Sequence, residues 1–304
     1  MKDAARVGSL TVKPPPFDYS APDTLEEALF VLGEAGDEAR PLAGGQSLVP
    51  LLSLRLARPS RLVDLAGITA LKTLDTAAGH LAVGAMVRER EAERDERVRS
   101  LAPALADALP LIGHPAIRSR GTIGGSLSHA DPAAELPAVA LVLEAELVAE
   151  SRARGRRSIP AADFFTGFFT TALAPDELLT TLRVPSSAPG TGWAVDEVAR
   201  RHGDFAIVAA AAMVRLDTST GRIEEARVAL AGVGDTPVRL PETEQMLAGA
   251  EPADGAFADA AENAVTRLSP PADVHGSAAY RRHVAGVLAR RTLKLAAQRA
   301  REAA

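Results

Sequence analysis

Two short stretches of this chain combine paired glycines with hydroxyl side chains: Ala43-Gly44-Gly45-Gln46-Ser47-Leu48, and Gly121-Thr122-Ile123-Gly124-Gly125-Ser126-Leu127-Ser128-His129-Ala130-Asp131-Pro132. A paired glycine reaches positive φ without strain and lets another group approach the main chain closely. Ser47, Thr122 and Ser126 place hydroxyls beside exposed N–H groups, which together make an anion cradle. A single Gly-Gly is ordinary turn punctuation. Two such loops, each near a short apolar run, suit a ligand with two phosphates and a long body. The N–H groups of the first loop, with Ser47, can hold a pyrophosphate without a lysine, and the second can cover the remaining body.

Little else in the chain can do chemistry. There is no GxxxxGK[ST], no complete GxGxxG after a strand, no HExxH and no GxSxG elbow. His80, His114, His129, His202, His275 and His283 never fall at metal-ligand spacing. Ser126, His129 and Asp131 have the residue types of a hydrolytic triad, but three residues in one loop rarely reach its geometry. The absence of cysteine removes thiolate nucleophiles and ligands for an iron–sulfur cluster. With no evident acid, base or nucleophile, a protein of this kind takes its reactivity from a bound cofactor.

The elements that must hold these loops follow from periodicity. Thr24 and Glu27 form a capping box for a helix to about Gly33. A strand over Arg40–Ala43 enters the first loop, a helical turn interrupted by Pro50 follows, and Arg61–Leu65 returns as a strand. This is a βαβ unit with its glycines where the strand ends. Strands are expected over 71–74 and 80–85, and the charged run Arg88 to Arg99 reads as a solvated helix surface. A helix over 102–111 precedes the second loop. A helix over 136–143, a hairpin over 146–159 and a strand over 178–184 follow it. Phe164, Phe165, Phe168 and Phe169 read as core packing, and the arginines at 152, 154, 156 and 157 as an exposed basic turn. Pro185 to Gly192 is the candidate domain boundary. Beyond it come consecutive, hence antiparallel, strands over 193–201, 206–216 and 223–230. Helices over 242–247, 255–268 and 277–303 complete the chain, the last burying Tyr280, Val284, Val287, Leu288 and Leu295.

Length bounds the chain at two or three compact units, with 304 residues, 47% hydrophobic and 24% charged. A net charge of −5 gives no electrostatic reason to expect nucleic acid or an anionic membrane. Met1 to Leu10 lack the apolar core of a secretory signal and read as a frayed tail, and no apolar run spans a bilayer. The expectation is a cytoplasmic protein.

The residues also match a family. Pro41 to Leu48, Ile117 to Leu127, Ala130 to Pro137, Pro175 to Leu179, Gly203 to Ala206, Thr236 to Arg239 and Tyr280 to Arg282 fall in the order seen in the FAD-binding medium subunits of molybdenum hydroxylases. The chain resembles these carbon monoxide dehydrogenase and xanthine dehydrogenase type subunits from about Phe17 to Leu295. The resemblance implies an α+β chain with the two-subdomain FAD-binding fold of the vanillyl-alcohol-oxidase type. Residues 15–184 would form the FAD-binding domain, with subdomains of about 15–66 and 67–184, carrying a three-stranded and a five-stranded sheet. Residues 191–301 would form a C-terminal domain of antiparallel strands and helices. Non-covalent FAD would lie between them. Leu42, Ala43, Gly44, Gly45, Gln46 and Ser47 would hold its pyrophosphate. Thr122, Ile123, Gly124, Gly125, Ser126 and Leu182 would contact the flavin and ribityl chain. Glu135 would bind the adenosine ribose, Asp131 would support the loop, and Phe205 would lie against the isoalloxazine. Relatives often carry a lysine in the strand before the Gly-Asp-aromatic segment, where this chain has Asp196 and Glu197.

On that resemblance the chain is an electron-transfer subunit. It would take electrons from [2Fe–2S] clusters on a partner chain and pass them to an external acceptor. Molybdopterin and the clusters are expected only on a large and a small partner subunit, as a dimer of heterotrimers. The competing readings are a stand-alone flavoenzyme acting on a small metabolite and a binding module without flavin.

Overall fold

The computed structural model describes residues 13–77 and 79–303; the tail expected over Met1 to Leu10 lies outside them. Thr24 accepts from the Glu27 N–H at 3.2 Å and opens α1 (Leu25–Ala35). The return half of the box goes one residue further out, to the Asp23 N–H. The helix buries Ala28, Leu29 and Leu32 against a parallel sheet of β1 (Asp18–Ser20), β2 (Ala39–Leu42) and β3 (Arg61–Asp64). The sheet order is β1–β3–β2, and α2 (Leu48–Ser53) connects β2 to β3. Pro50 does not interrupt α2: it sits in the first turn, where its missing N–H has no intrahelical acceptor to lose.

The second sheet is antiparallel. It begins with β4 (Leu74–Ala77) and β5 (His80–Gly84). The strand expected from residue 71 starts at Leu74 because Thr69–Lys72 coil into a 3-10 turn that buries Leu71. Then come α3 (Glu89–Arg94), α4 (Glu96–Leu101), α5 (Pro103–Ala108), α6 (Pro115–Arg118), α7 (Ile123–His129) and α8 (Glu135–Val142). The hairpin of β6 (Glu146–Ser151) and β7 (Gly155–Pro160) follows, then α9 (Ala161–Phe164) and a small hairpin of β8 (Phe165–Gly167) and β9 (Thr170–Thr171). Finally β10 (Leu178–Pro185) inserts between β5 and β6, giving the order β4–β5–β10–β6–β7. The expected phenylalanine core is half right. Phe164 and Phe165 are buried, whereas Phe168 and Phe169 project from the hairpin tip with their rings edge to face. The basic turn is exposed but paired: Arg154 meets Asp176, and Arg157 grips Glu177 at 2.7 Å.

The third sheet, of β11 (Thr191–Ala199), β12 (Ala206–Leu216), β13 (Ile223–Ala231) and β14 (Val238–Arg239), is antiparallel in that order. β12 is apolar without a break from Ala206 to Val214 because both its faces are covered. Ala209, Ala211 and Met213 pack with α5 and α8. Val208, Ala210, Ala212 and Val214 pack with α11 (Asp254–Thr266) and α12 (Ala278–Glu302), which follow the short α10 (Pro241–Leu247). The buried face of α12 is the expected one only in part, through Val284 and Leu288. Tyr280 and Val287 are exposed, Leu295 is only partly buried, and the contact is made by Val284, Leu288 and Leu293 among alanines 285, 289, 296, 297 and 300. Methyl groups suffice there because the backbones nearly touch: a Cβ on Gly192 would lie 2.9 Å from the carbonyl carbon of Arg299. No helix among the described residues is long and apolar enough to cross a membrane.

Arginines join the third sheet to the rest. Arg239 donates to the carbonyl of Leu141 at 3.2 Å and Arg227 to that of Val142 at 3.3 Å, so two guanidinium groups cap the C-terminal end of α8. Arg299 on α12 holds Asp107 on α5 and the Trp193 carbonyl.

Candidate functional site

The first glycine loop leaves β2 at the C-terminal edge of the parallel sheet, where ligands of such sheets collect. Gly45 has φ +75°, which only glycine adopts without strain. None of the N–H groups from Gly44 to Ser47 donates to an acceptor among the described residues. The carbonyls of Gly45 and Ser47 are used by Val49 and Leu51 to start α2, and Gln46 folds back on the Gly44 carbonyl at 3.2 Å. The loop thus presents a row of open donors at the N-terminus of α2. Gly44, Gly45 and Gln46 line a cleft of about 400 Å³ with Leu42, Ala43, Val49, Asp64, Arg88 and Arg120.

The second glycine stretch differs from the expected open cradle. It is a turn followed by α7, with Thr122 as N-cap: its hydroxyl accepts from the Gly125 N–H at 3.0 Å. The other donors are also taken, Ile123 by Val87, Gly124 by Ala85 and Ser126 by Thr122. Ile123 and Leu127 of this stretch are in the core. Its glycines serve close packing inside the protein. A Cβ on Gly124 would lie 2.7 Å from the Ala85 Cα, and one on Gly121 would lie 2.7 Å from the carboxyl carbon of Glu89.

The two stretches interlock. Gly44 lies so close to the Arg120 carbonyl that an added Cβ would collide with it and stand 2.9 Å from the Gly121 Cα. A Cβ on Gly125 would sit 3.3 Å from that of Ala43. Arg88 closes the seam by donating to the Arg120 carbonyl. Gly125 and Ser126 are half-buried beside the first loop, whereas Thr122, Ile123 and Gly124 are buried.

The remaining candidates lie along the seam between the sheets. Asp131 accepts from the Ala133 N–H at 2.9 Å and shapes the turn into α8. Next to it, the Pro132 carbonyl accepts from Gly232 at 2.7 Å, tying that turn to the third sheet. Leu182 is buried in β10 opposite Val83 and Leu147. Phe205 is 60% exposed at the start of β12, so it is not a core aromatic. The turn before it is fixed, since Gly203 at φ +85° lies against the His114 ring. Arg281 is buried beneath this edge and holds the Ile207 and Gly232 carbonyls together with Asp273.

Glu135 is buried and faces carboxylates. Its carboxyl is next to that of Glu197 on β11, and Asp131 and Glu89 are its other acidic neighbours. Burial pushes the Glu89 carboxyl up to about 8, with Glu135 adding to the shift and Arg118 opposing it. Burial is also the first cause of the rise at Glu135, and at Glu197 the charge of Glu135 adds to it. Glu89 Oε2 and Glu197 Oε2 have no donor, as expected for groups that retain a proton. Sequence reasoning missed Glu89, which it placed on a solvated surface, and missed Arg88 and Arg120. The sign-alternating run from Arg88 to Arg99 hides which of its residues turns inward. His129 is half-buried with its ring 4.9 Å from that of Phe169, and burial lowers its pKa.

Comparison with known proteins matches this geometry to a family. Residues 15–187 match the FAD binding domain in molybdopterin dehydrogenase, and residues 193–296 match the carbon monoxide dehydrogenase flavoprotein C-terminal domain. The chain is 43% identical to the 6-hydroxypseudooxynicotine dehydrogenase complex subunit alpha of Paenarthrobacter nicotinovorans, over 95% of this chain and 97% of that one. It is 36% identical to the carbon monoxide dehydrogenase medium chain of Hydrogenophaga pseudoflava, over 93% and 98%. The solved carbon monoxide dehydrogenase of that organism superposes with a TM-score of 0.91, at 37% identity over 94% of this chain and 99% of that chain. Quinoline 2-oxidoreductase from Pseudomonas putida 86 gives 0.90, at 40% identity over 95% and 99%. The chain therefore belongs to the family of FAD-binding medium subunits of molybdenum hydroxylase-type dehydrogenases, and is an oxidoreductase subunit.

Proposed function

We propose that this chain takes electrons from [2Fe–2S] clusters on a partner subunit and delivers them to an external acceptor, with the substrate transformed on a molybdopterin-bearing large subunit. One observation carries the reading. The row of open N–H donors from Gly44 to Ser47 fits a diphosphate, while the chain has no cysteine to hold a cluster, and the one carboxylate lining the cleft, Asp64, is taken up by Tyr19 and Ala66. Bound flavin supplies the one- and two-electron exchange that the side chains cannot. The protein's part is placement. Leu42 to Ser47 hold the diphosphate, and Gly125 and Ser126, with Thr122, Ile123, Gly124 and Leu182 behind them, form the wall beside it. Asp131 fixes the turn that docks on Gly232, and Phe205 covers the flavin ring from the third sheet. For Glu135 we favour holding a proton with Glu197 over binding the ribose, because its carboxyl faces another carboxyl. We take 15–184 and 191–301 as the two functional units.

The names of the relatives support partners, since they are medium chains or lettered subunits of complexes. We place this chain in an assembly with one large and one small subunit, as a dimer of heterotrimers. The test is purification of the tagged chain from its native host, with mass spectrometry and analysis of flavin, iron and molybdenum. Two co-purifying subunits carrying iron and molybdenum are expected. A chain recovered alone with flavin, oxidising an organic substrate unaided, overturns the reading.

A further inference from the structure

Arg88 is a half-buried cation without a counter-charge. Its Nη1 donates to the Arg120 carbonyl, against the Cα of Gly44, and among the described residues it makes no ion pair and no other side-chain hydrogen bond as donor. The backbone on either side is pinned: Arg88 pairs with Thr122 in an isolated bridge, and its own N–H donates to Glu91 at 3.2 Å. The guanidinium is therefore positioned at the seam of the two glycine stretches, on the cleft that the open N–H groups of the first loop line. Arg120, exposed at the same cleft, has no side-chain partner among the described residues either. The one acid lining the cleft, Asp64, is occupied. It accepts from the Tyr19 hydroxyl at 2.5 Å and from the Ala66 N–H at 2.8 Å, and no ion pair joins it to either arginine. A fork with free donors, pre-placed beside a row of free N–H groups and lacking an anion, matches a diphosphate.

We infer that Arg88, assisted by Arg120 at the mouth, supplies the positive charge that binds the diphosphate of the dinucleotide cofactor, an inference that rests on the first loop being the diphosphate cradle. The absence of a lysine from that loop is then no deficit, since its cation arrives from the strand end after β5.

The test uses the full-length flavin-free protein, titrated with FAD and with riboflavin, which lacks phosphate, at low and high salt. Wild type should bind FAD more tightly than riboflavin, with the advantage shrinking as salt rises. Arg88→Met should weaken FAD binding about 10–100-fold, the loss expected for a charge-assisted contact, and leave riboflavin affinity within about twofold. Arg120→Met, whose side chain supports nothing in the fold, should weaken FAD alone by about 3–10-fold. If both variants keep wild-type FAD affinity and salt dependence, or lose FAD and riboflavin equally, the inference is overturned and Arg88 only braces the turn. If wild type itself binds FAD no better than riboflavin, the cradle assignment fails, which is a different result from the first.

Discussion

Gly44 and Arg120 are in backbone contact: no side chain larger than hydrogen fits between the Gly44 Cα and the Arg120 carbonyl. The glycines of the two motifs therefore serve two ends. Gly45 supplies a positive φ that opens the loop, while Gly44, Gly121 and Gly124 let one motif nest in the other. The open donors belong to the first motif, and the second is the buttress that holds it.

Gly44→Ala should accordingly damage the fold as well as the site. The methyl forces the seam apart at a cost of about 1–3 kcal/mol, typical of overpacking, and FAD content should fall with it. Gly33→Ala is the control. Its site in α1 has open space and an ordinary φ, so the substitution should gain about 0.5–1 kcal/mol and leave flavin content unchanged. Thermal melts and flavin absorbance of the purified variants check both. A Gly44→Ala protein as stable and as yellow as wild type would refute the interlock.

The carboxyls of Glu89, Glu135 and Glu197 make stability depend on pH in a stated direction. All three are raised from about 4.5 towards 7–8 in the folded protein. The folded state thus binds more protons than the unfolded one. Their contribution is fully present below about pH 4.5 and is lost as pH rises through 7–8. Asp273, held at about 2 first by its hydrogen bond from Arg281, stays ionised throughout this window. Glu197→Gln keeps a donor towards Glu135 without needing a proton, so the fall in Tm between pH 5.5 and 8.5 should become shallower. An unchanged slope in that variant would show that the pair does not share a proton.

Truncating Phe205 should cost little stability, because 60% of the residue is already exposed. Phe205→Ala is expected to lower stability by about 0.5 kcal/mol or less, as at ordinary surface sites. If Phe205 covers the flavin as proposed, its removal should change reoxidation by oxygen in stopped flow. Loss of several kcal/mol, or a reoxidation trace identical to wild type, would remove Phe205 from the site.

Most of the architecture was legible because each element has its own pattern. The capped helix at Thr24 and the apolar run of β12 each specify one local structure. The second glycine stretch was misread as an open loop because Gly, Ser and Thr report conformational freedom and not where the neighbours lie. Only the tertiary contact of Gly124 with Ala85 makes it a buried helix. Glu89 and Arg88 were hidden for a related reason. In a run of alternating charge nothing local marks the residue that turns inward, and burial of Glu89 is set by Gly121, distant in sequence. On α12 the expectation held for Val284 and Leu288 but failed for Tyr280 and Val287, because it weighted large apolar residues over alanine, which close helix–sheet packing selects.

The central claim is that this chain receives electrons from a partner and does not extract them from substrate. The most direct measurement is anaerobic stopped-flow absorbance of the flavin in the isolated chain. The chain is mixed first with candidate organic substrates alone, and then with the same substrates plus the purified iron–sulfur and molybdopterin subunits. The account predicts that the oxidised flavin band persists in the first mixture and bleaches rapidly in the second. Rapid bleaching by a small organic substrate with no partner present would contradict it.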